Sequence, residues 1–192
     1  MTREAGALAM RQESVRRLFF AIWPDDATRA RLAEAVREFV PAGTGRPQRP
    51  DQWHVTLEFL GDVPEPRLQG VLDSAATAAR EAFACELEFD RLQHWKRPQV
   101  LCLAAGLTPG PLAALVQLLR AQLRMRGFAP ESRPFKPHVT LARRVRQAPP
   151  PADGEMSAWS LHWPVSAFAL VQSVTGPEGA RYIEVACWPT GS

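Results

Sequence analysis

The tetrapeptide His-Val-Thr-Leu occurs twice, as His54-Val55-Thr56-Leu57 and as His138-Val139-Thr140-Leu141. Each copy alternates polar and apolar side chains at period two and reads as a short strand. Side chains at i and i+2 share a strand face, so His54 projects with Thr56 and His138 with Thr140. Val55, Leu57, Val139 and Leu141 face the other way, into apolar packing. The surroundings repeat as well. The run Leu18-Phe19-Phe20-Ala21-Ile22, an amphipathic stretch from Asp25 to Val40 and a Pro/Gly-rich link precede the first copy. The run Val100-Leu101-Cys102-Leu103-Ala104, an amphipathic stretch from Pro111 to Arg126 and another proline-containing link precede the second. Strand, helix, loop and His-x-Thr strand are thus written twice, an internal duplication that predicts two similar lobes.

The rest of the chain fits that frame. Residues 1–16 are polar and aperiodic and read as a disordered tail, leaving 17–192 as one bilobal domain. Arg17 to Trp23 is the first strand, and Asp25 or Asp26 caps the helix that carries Leu32, Val36 and Phe39. Trp53 to Leu60 is the first His-x-Thr strand, ended by Gly61-Asp62. A second helix spans Glu65 to Phe83, with an apolar stripe of Leu68, Val71, Leu72, Ala75, Ala76 and Ala79. Cys85 to Phe89 alternates as a half-exposed strand. Gln99 to Ala105 is a strand, and the third helix buries Leu112, Leu115, Leu119 and Leu123 before stopping at Gly127. Phe135 to Arg143 is the second His-x-Thr strand, and Ala148 to Asp153 is a proline-rich loop. Val165 to Ser173 and Arg181 to Ala186 are two last strands, meeting at the Thr175–Gly179 turn. About seven strands and three helices predict an α+β fold with mainly antiparallel sheets and helices outside. The active cleft is expected between the lobes.

Composition narrows the function classes. At 192 residues with 46% hydrophobic and 22% charged side chains, the chain is an ordinary globular protein of one sizeable core. The net charge of +3 is too small for a general nucleic-acid coat. All but two of the 23 basic residues (Lys96 and Lys136) are arginine, which suits planar, bidentate recognition of a phosphate. Cys85, Cys102 and Cys187 share no short spacing, so neither a disulfide framework nor a zinc motif is expected, only reduced and buried thiols. The apolar patch from Ala5 to Met10 is too short for a signal peptide, and no stretch reaches membrane-spanning length. Cytoplasm, no membrane and a monomer are the expectations.

Two imidazoles and two hydroxyls around one point suit displacement at phosphorus. An imidazole pKa of roughly 6.5 allows one histidine to be neutral and the other protonated near neutral pH. One takes a proton from water while the other gives one to a leaving oxygen. Threonine hydroxyls donate hydrogen bonds to non-bridging phosphate oxygens without adding charge. A metal would want three or four close ligands. Glu58 shares the face of His54 and Thr56 by parity, but its counterpart in the second copy is Ala142, so no metal and no cofactor is expected. His94 and His162, beside Trp95 and Trp163 and outside any repeat, read as interface or surface residues.

These residues resemble the two-histidine phosphoesterases, and among them the RNA 2′,3′-cyclic phosphodiesterases historically called 2′-5′ RNA ligases. The matching segments are Arg17 to Ile22, Trp53 to Gly61, Gly127-Phe128, Arg133 to Arg143 and Ala180-Arg181-Tyr182, in the family's order across residues 17–188. The resemblance implies hydrolysis of an RNA-terminal or nucleoside 2′,3′-cyclic phosphate to a 2′-phosphomonoester, without metal. Weak reverse 2′-5′ ligation is also implied. His54 would be the proton donor and His138 the proton acceptor, with Thr56, Thr140 and Arg143 holding the phosphate. The two identical motifs do not by themselves say which histidine is which. Phe20, Trp53 and Phe135 are candidates to stack a base or to fill the core. Arg143 lies five residues after His138, on the wrong face by parity unless the strand bulges or ends near Ala142. The competing reading is a non-catalytic nucleotide- or RNA-binding module of the same fold.

Overall fold

Strand β1 (Val15–Ile22) divides its side chains between two layers. Leu18, Phe20 and Ile22 enter the main hydrophobic core, while Phe19 and Ala21 join Ala169 and Val171 in a small cluster on the opposite face. The computed structural model describes residues 14–149, 154–156, 159–177 and 179–191. After β1 come α1 (Asp26–Phe39), β2 (Arg46–Pro47), β3 (Val55–Pro64), α2 (Leu68–Ala79), β4 (Cys85–Phe89) and β5 (Arg91–Trp95). There follow β6 (Val100–Ala104), α3 (Gly110–Met125), β7 (His138–Arg143), β8 (Gly154–Glu155), β9 (Leu161–Val165), β10 (Ala167–Gly176) and β11 (Gly179–Pro189).

One nine-stranded sheet runs β11-β10-β1-β3-β7-β6-β5-β8, with β2 laid against β7, and β4 and β9 form a separate pair. Its described pairings are antiparallel, as the α+β expectation requires. The duplicated halves meet at the sheet's centre, where Val55 of β3 pairs with Val139 of β7. Behind them lies one shared core. Leu18, Phe20 and Leu57 from one half pack with Leu101, Leu103, Leu141 and the α3 residues Leu112, Leu115 and Leu119 from the other. Each such side chain contributes roughly 1.5–3 kcal/mol by leaving water. The helices cross over: α1 lies against β7 and β9, and α3 against β3. Each lobe's helix therefore backs the other lobe's His-x-Thr strand.

Several boundaries differ from the expectations. Asp25 is the α1 cap, its Oδ1 accepting from the Thr28 N–H at 2.7 Å. Val15 and Arg16 belong to β1, not to the tail, and residues 1–13 of that tail lie outside the described residues, as do 150–153 of the proline-rich loop. Strand β5 was not expected because His94 fills an inward position that an apolar residue usually marks. His94 is buried, with Nε2 2.8 Å from the Val145 carbonyl, and is no surface residue; His162 is exposed beside Glu86. Strand β9 is hidden in the sequence by Pro164, which is tolerated because among the described residues β9 pairs with β4 alone. No disulfide joins the cysteines among the described residues, and only Cys102 is buried; Cys85 is half-buried and Cys187 exposed. No helix among the described residues is long and apolar enough to cross a membrane.

Candidate active site

The register at Val55 and Val139 fixes the site. Continued by one residue in each direction, an antiparallel ladder sets His54 across from Thr140 and Thr56 across from His138. Directly opposed side chains have Cβ atoms about 4.5–5.5 Å apart. On that register each imidazole falls opposite the threonine of the other copy, on the sheet face away from the shared core. The four motif residues come together as the sequence predicts.

Both strands bulge just after the threonine. On β3, Phe20 pairs with Glu58 and Ala21 with Thr56, which leaves Leu57 extra. On β7, Leu101 pairs with Ala142 and Cys102 with Thr140, which leaves Leu141 extra. A bulge shifts all later side chains by one step of parity. Arg143 is thereby returned to the histidine face, and the objection from strict alternation is removed. The same shift carries Glu58 away from that face, contrary to the simple parity reading. Its carboxylate is fully buried and accepts from Arg120 Nε at 2.6 Å and from the Glu131 N–H at 2.7 Å. Arg120 also donates to the Arg133 carbonyl at 3.0 Å. Glu58 thus ties α3 and the segment leading to His138 onto the first motif strand. Among the described residues no cluster of three His, Cys, Asp or Glu could hold a metal ion.

The backbone fixes both imidazoles in one tautomer. His54 Nδ1 lies 2.7 Å from the Gln52 carbonyl and His138 Nδ1 lies 2.9 Å from the Lys136 carbonyl. A carbonyl only accepts, so each Nδ1 carries hydrogen, and each Nε2 is left to accept a proton when neutral or donate one when charged. Gln52 is itself anchored, its side-chain amide donating to the Ala180 carbonyl of β11 at 2.5 Å.

Ring neighbours distinguish the two copies. His54 sits among Phe19, Tyr182 and Trp23 at centroid distances of 5.0, 5.1 and 5.6 Å, whereas His138 lies 4.5 Å from Trp95. Burial pushes the His54 pKa down to about 4, the Gln52 carbonyl opposes this, and the charges of His138 and Arg143 lower it further. His138 is also lowered, chiefly by burial and then by Arg143. The Arg143 cation, which acts on both imidazoles, prepares the site for an anion.

Two cavities lie toward opposite ends of the motif strands, the larger one lined by Thr56 and His138 themselves. Beyond Thr56 and His138 lies a cavity of 680 Å³ whose walls include Phe59, Trp95, Pro98, Phe135 and Lys136. Beyond His54 and Thr140 lies one of 280 Å³ lined by Arg46, Gln48, Gln52, Arg143, Ala180 and Tyr182. Among the stacking candidates, only Phe135 reaches a cavity. Phe20 is 0% exposed and packs against Phe168 and Trp188, and Trp53 is 2% exposed in the core. Both turn away from the cleft and present no stacking face. Sequence reasoning missed Trp95, Tyr182, Trp23 and Phe19, which meet the histidines only through strand pairing.

The chain belongs to the LigT-like phosphoesterase family, whose model matches residues 22–102 and 107–182. It is 34% identical over 178 residues to a Thermus thermophilus protein named RNA 2′,3′-cyclic phosphodiesterase, covering 86% of each chain. It is 31% identical over 175 residues to an Escherichia coli protein of the same name, covering 90% of this chain and 95% of that one. Its fold superposes on crystalline Escherichia coli LigT complexed with 3′-AMP with a TM-score of 0.79, at 28% identity, over 93% of this chain and all of the other.

Proposed function

We propose that the protein hydrolyses 2′,3′-cyclic phosphate ends of RNA, or cyclic nucleotides, to 2′-phosphomonoesters without a metal. The observation that carries this reading is the pairing of the two His-x-Thr strands at Val55 and Val139, with both imidazoles held through Nδ1 by backbone carbonyls so that each Nε2 is left for proton transfer. Family membership and the names of the relatives support the same substrate class.

In the proposed reaction the cyclic phosphate sits between the histidines. Thr56 and Thr140 donate to its non-bridging oxygens, and Arg143 balances its charge. Neutral His138 takes a proton from water as that water's oxygen bonds to phosphorus. The bond from phosphorus to O3′ breaks, and its electron pair goes to O3′, which takes a proton from His54. Burial of His54 disfavours its imidazolium, so the proton is held weakly and given readily once the phosphate anion has induced it. A 5′-hydroxyl in place of water would yield a 2′-5′ diester, the weak ligation expected of the same site. Phe135 and Trp95 form the wall on which the base would stack. We place the activity in the cytoplasm, where the three cysteines stay reduced.

Incubation with adenosine 2′,3′-cyclic phosphate, with and without EDTA, tests the proposal. 2′-AMP should form equally in both. No product would favour the binding module, loss with EDTA alone would favour a metal, and 3′-AMP would mean that the other oxygen leaves.

A further inference from the structure

Arg46 and Arg143 stand directly opposite each other on β2 and β7. Like charges in that register destabilise a strand pair. Among the described residues neither arginine has an ion-pair partner, and no acidic side chain lines the 280 Å³ cavity that both face. Arg49, the third arginine there, is matched by Asp51 through two hydrogen bonds of 3.0 and 2.7 Å. The unfavourable pairing is nevertheless held firmly. The Gln48 N–H donates to the Leu141 carbonyl at 2.7 Å, and Gly45 passes so close that a Cβ there would lie 2.7 Å from the Arg143 carbonyl oxygen. Among the described residues the fold thus maintains two cations without an ion-pair partner, one of which, Arg143, acts on both histidines, and one phosphate does not need both.

The two halves are unequal at this point. Arg143 follows the second bulge as Phe59 follows the first: Phe59 pairs with Phe19 and Arg143 with Val100. The lobe that carries Phe59 ends in the larger cavity, where Phe59, Trp95 and Phe135 stand with Arg97, Arg120, Arg133 and Lys136, and the lobe that carries Arg143 ends in the smaller one, whose charged residues are Arg46, Arg49 and Arg143. A nucleoside bound through its 2′ and 3′ oxygens sends its base from C1′ and its 5′ oxygen from C4′, toward opposite ends of the ribose. With the base on the Trp95 and Phe135 wall, the 5′ side of the nucleotide is directed to Arg46.

We propose that Arg46 binds a second phosphate, the one attached to the 5′ oxygen of the terminal nucleotide, and so makes the enzyme prefer an RNA chain end to a cyclic mononucleotide. This inference rests on the substrate class proposed above. Three substrates separate the possible sources of that phosphate: adenosine 2′,3′-cyclic phosphate, its 5′-phosphorylated form, and the dinucleotide ApA ending in a 2′,3′-cyclic phosphate. The wild-type enzyme should show a higher kcat/KM on the dinucleotide than on the unphosphorylated mononucleotide. A comparable gain with the 5′-phosphorylated mononucleotide assigns the site to any 5′-phosphate, and a gain with the dinucleotide alone assigns it to the internucleotide diester. Arg46→Ala should shrink the dinucleotide-to-mononucleotide ratio by about 10- to 100-fold, the worth of one charge-assisted hydrogen bond, mainly through KM. Arg46→Lys should keep most of the ratio. Calorimetric affinities for 2′-AMP and for ApA ending in a 2′-phosphate yield the same ratio without turnover, so loss of catalysis would overturn the parent reading and still leave this one measured. Equal affinities in the wild type, or an Arg46→Ala loss shared equally by both ligands, would overturn it.

Discussion

Replacing Glu58 by Gln should cost far more stability than its small change in shape suggests. The Glu58 side chain is 0% exposed and its partner Arg120 is 13% exposed, so the pair is shielded from water. Gln keeps an acceptor for the Glu131 N–H but leaves the Arg120 guanidinium without a counter-charge. Breaking a buried pair by removing one partner costs about 3–5 kcal/mol. The remaining bond from Arg120 to the Arg133 carbonyl and its residual exposure favour the lower end, about 3 kcal/mol. For a domain of this size that lowers Tm by about 6–12 °C. Adding Arg120→Met removes the stranded charge, so the double variant should recover most of the loss. Urea unfolding of wild type, both single variants and the double variant completes the cycle. Glu58→Gln within 0.5 kcal/mol of wild type, or a double variant as unstable as the sum of the singles, would refute the reasoning.

Three further outcomes follow from the site. Arg143→Ala should lower kcat and raise KM together, by about 10- to 100-fold in kcat/KM, because the phosphate it contacts is present throughout the reaction; steady-state kinetics on a cyclic nucleotide reads this. The pH profile of kcat/KM should be bell-shaped and peak below pH 6.5: protonated His54 populates toward its pKa of about 4, and neutral His138 is lost only below its own lowered pKa. A bound phosphate monoanion favours the imidazolium, so the kcat profile should lie at higher pH than the kcat/KM profile, and a kcat/KM maximum above pH 7.5 would contradict the burial of both rings.

The motif pair, its shared face and the two-lobed plan were legible because they depend on nearest neighbours along the chain. The duplication also predicted that the copies meet. What the sequence left hidden is set by pairing between distant segments. A bulge is a property of two strands, so nothing in Leu57 or Leu141 announces it, yet it sends Arg143 toward the histidines and Glu58 away from them. The doubt about Arg143 came from correct alternation applied to a strand that does not keep it. Phe20 and Phe19 are adjacent and chemically identical, and only the side of β1 that meets the helices makes one core and the other a neighbour of His54. Trp95 escaped notice because β5 carries His94 inward, which erased the apolar alternation that marks a strand.

The proposed reaction divides labour between two histidines that the sequence makes identical. It is tested most directly by kinetics of His54→Ala and His138→Ala on adenosine 2′,3′-cyclic phosphate and on its analogue with sulfur in place of O3′. On the oxygen substrate each variant should lose roughly 10²- to 10⁴-fold in kcat, and the double variant less than the product of the two. A thiolate leaves without needing a proton, so the sulfur analogue should restore most of the rate to His54→Ala and little to His138→Ala. Rescue of His138→Ala instead would reverse the roles, and a single-histidine variant retaining more than about a tenth of wild-type activity on the oxygen substrate would contradict two-histidine catalysis itself.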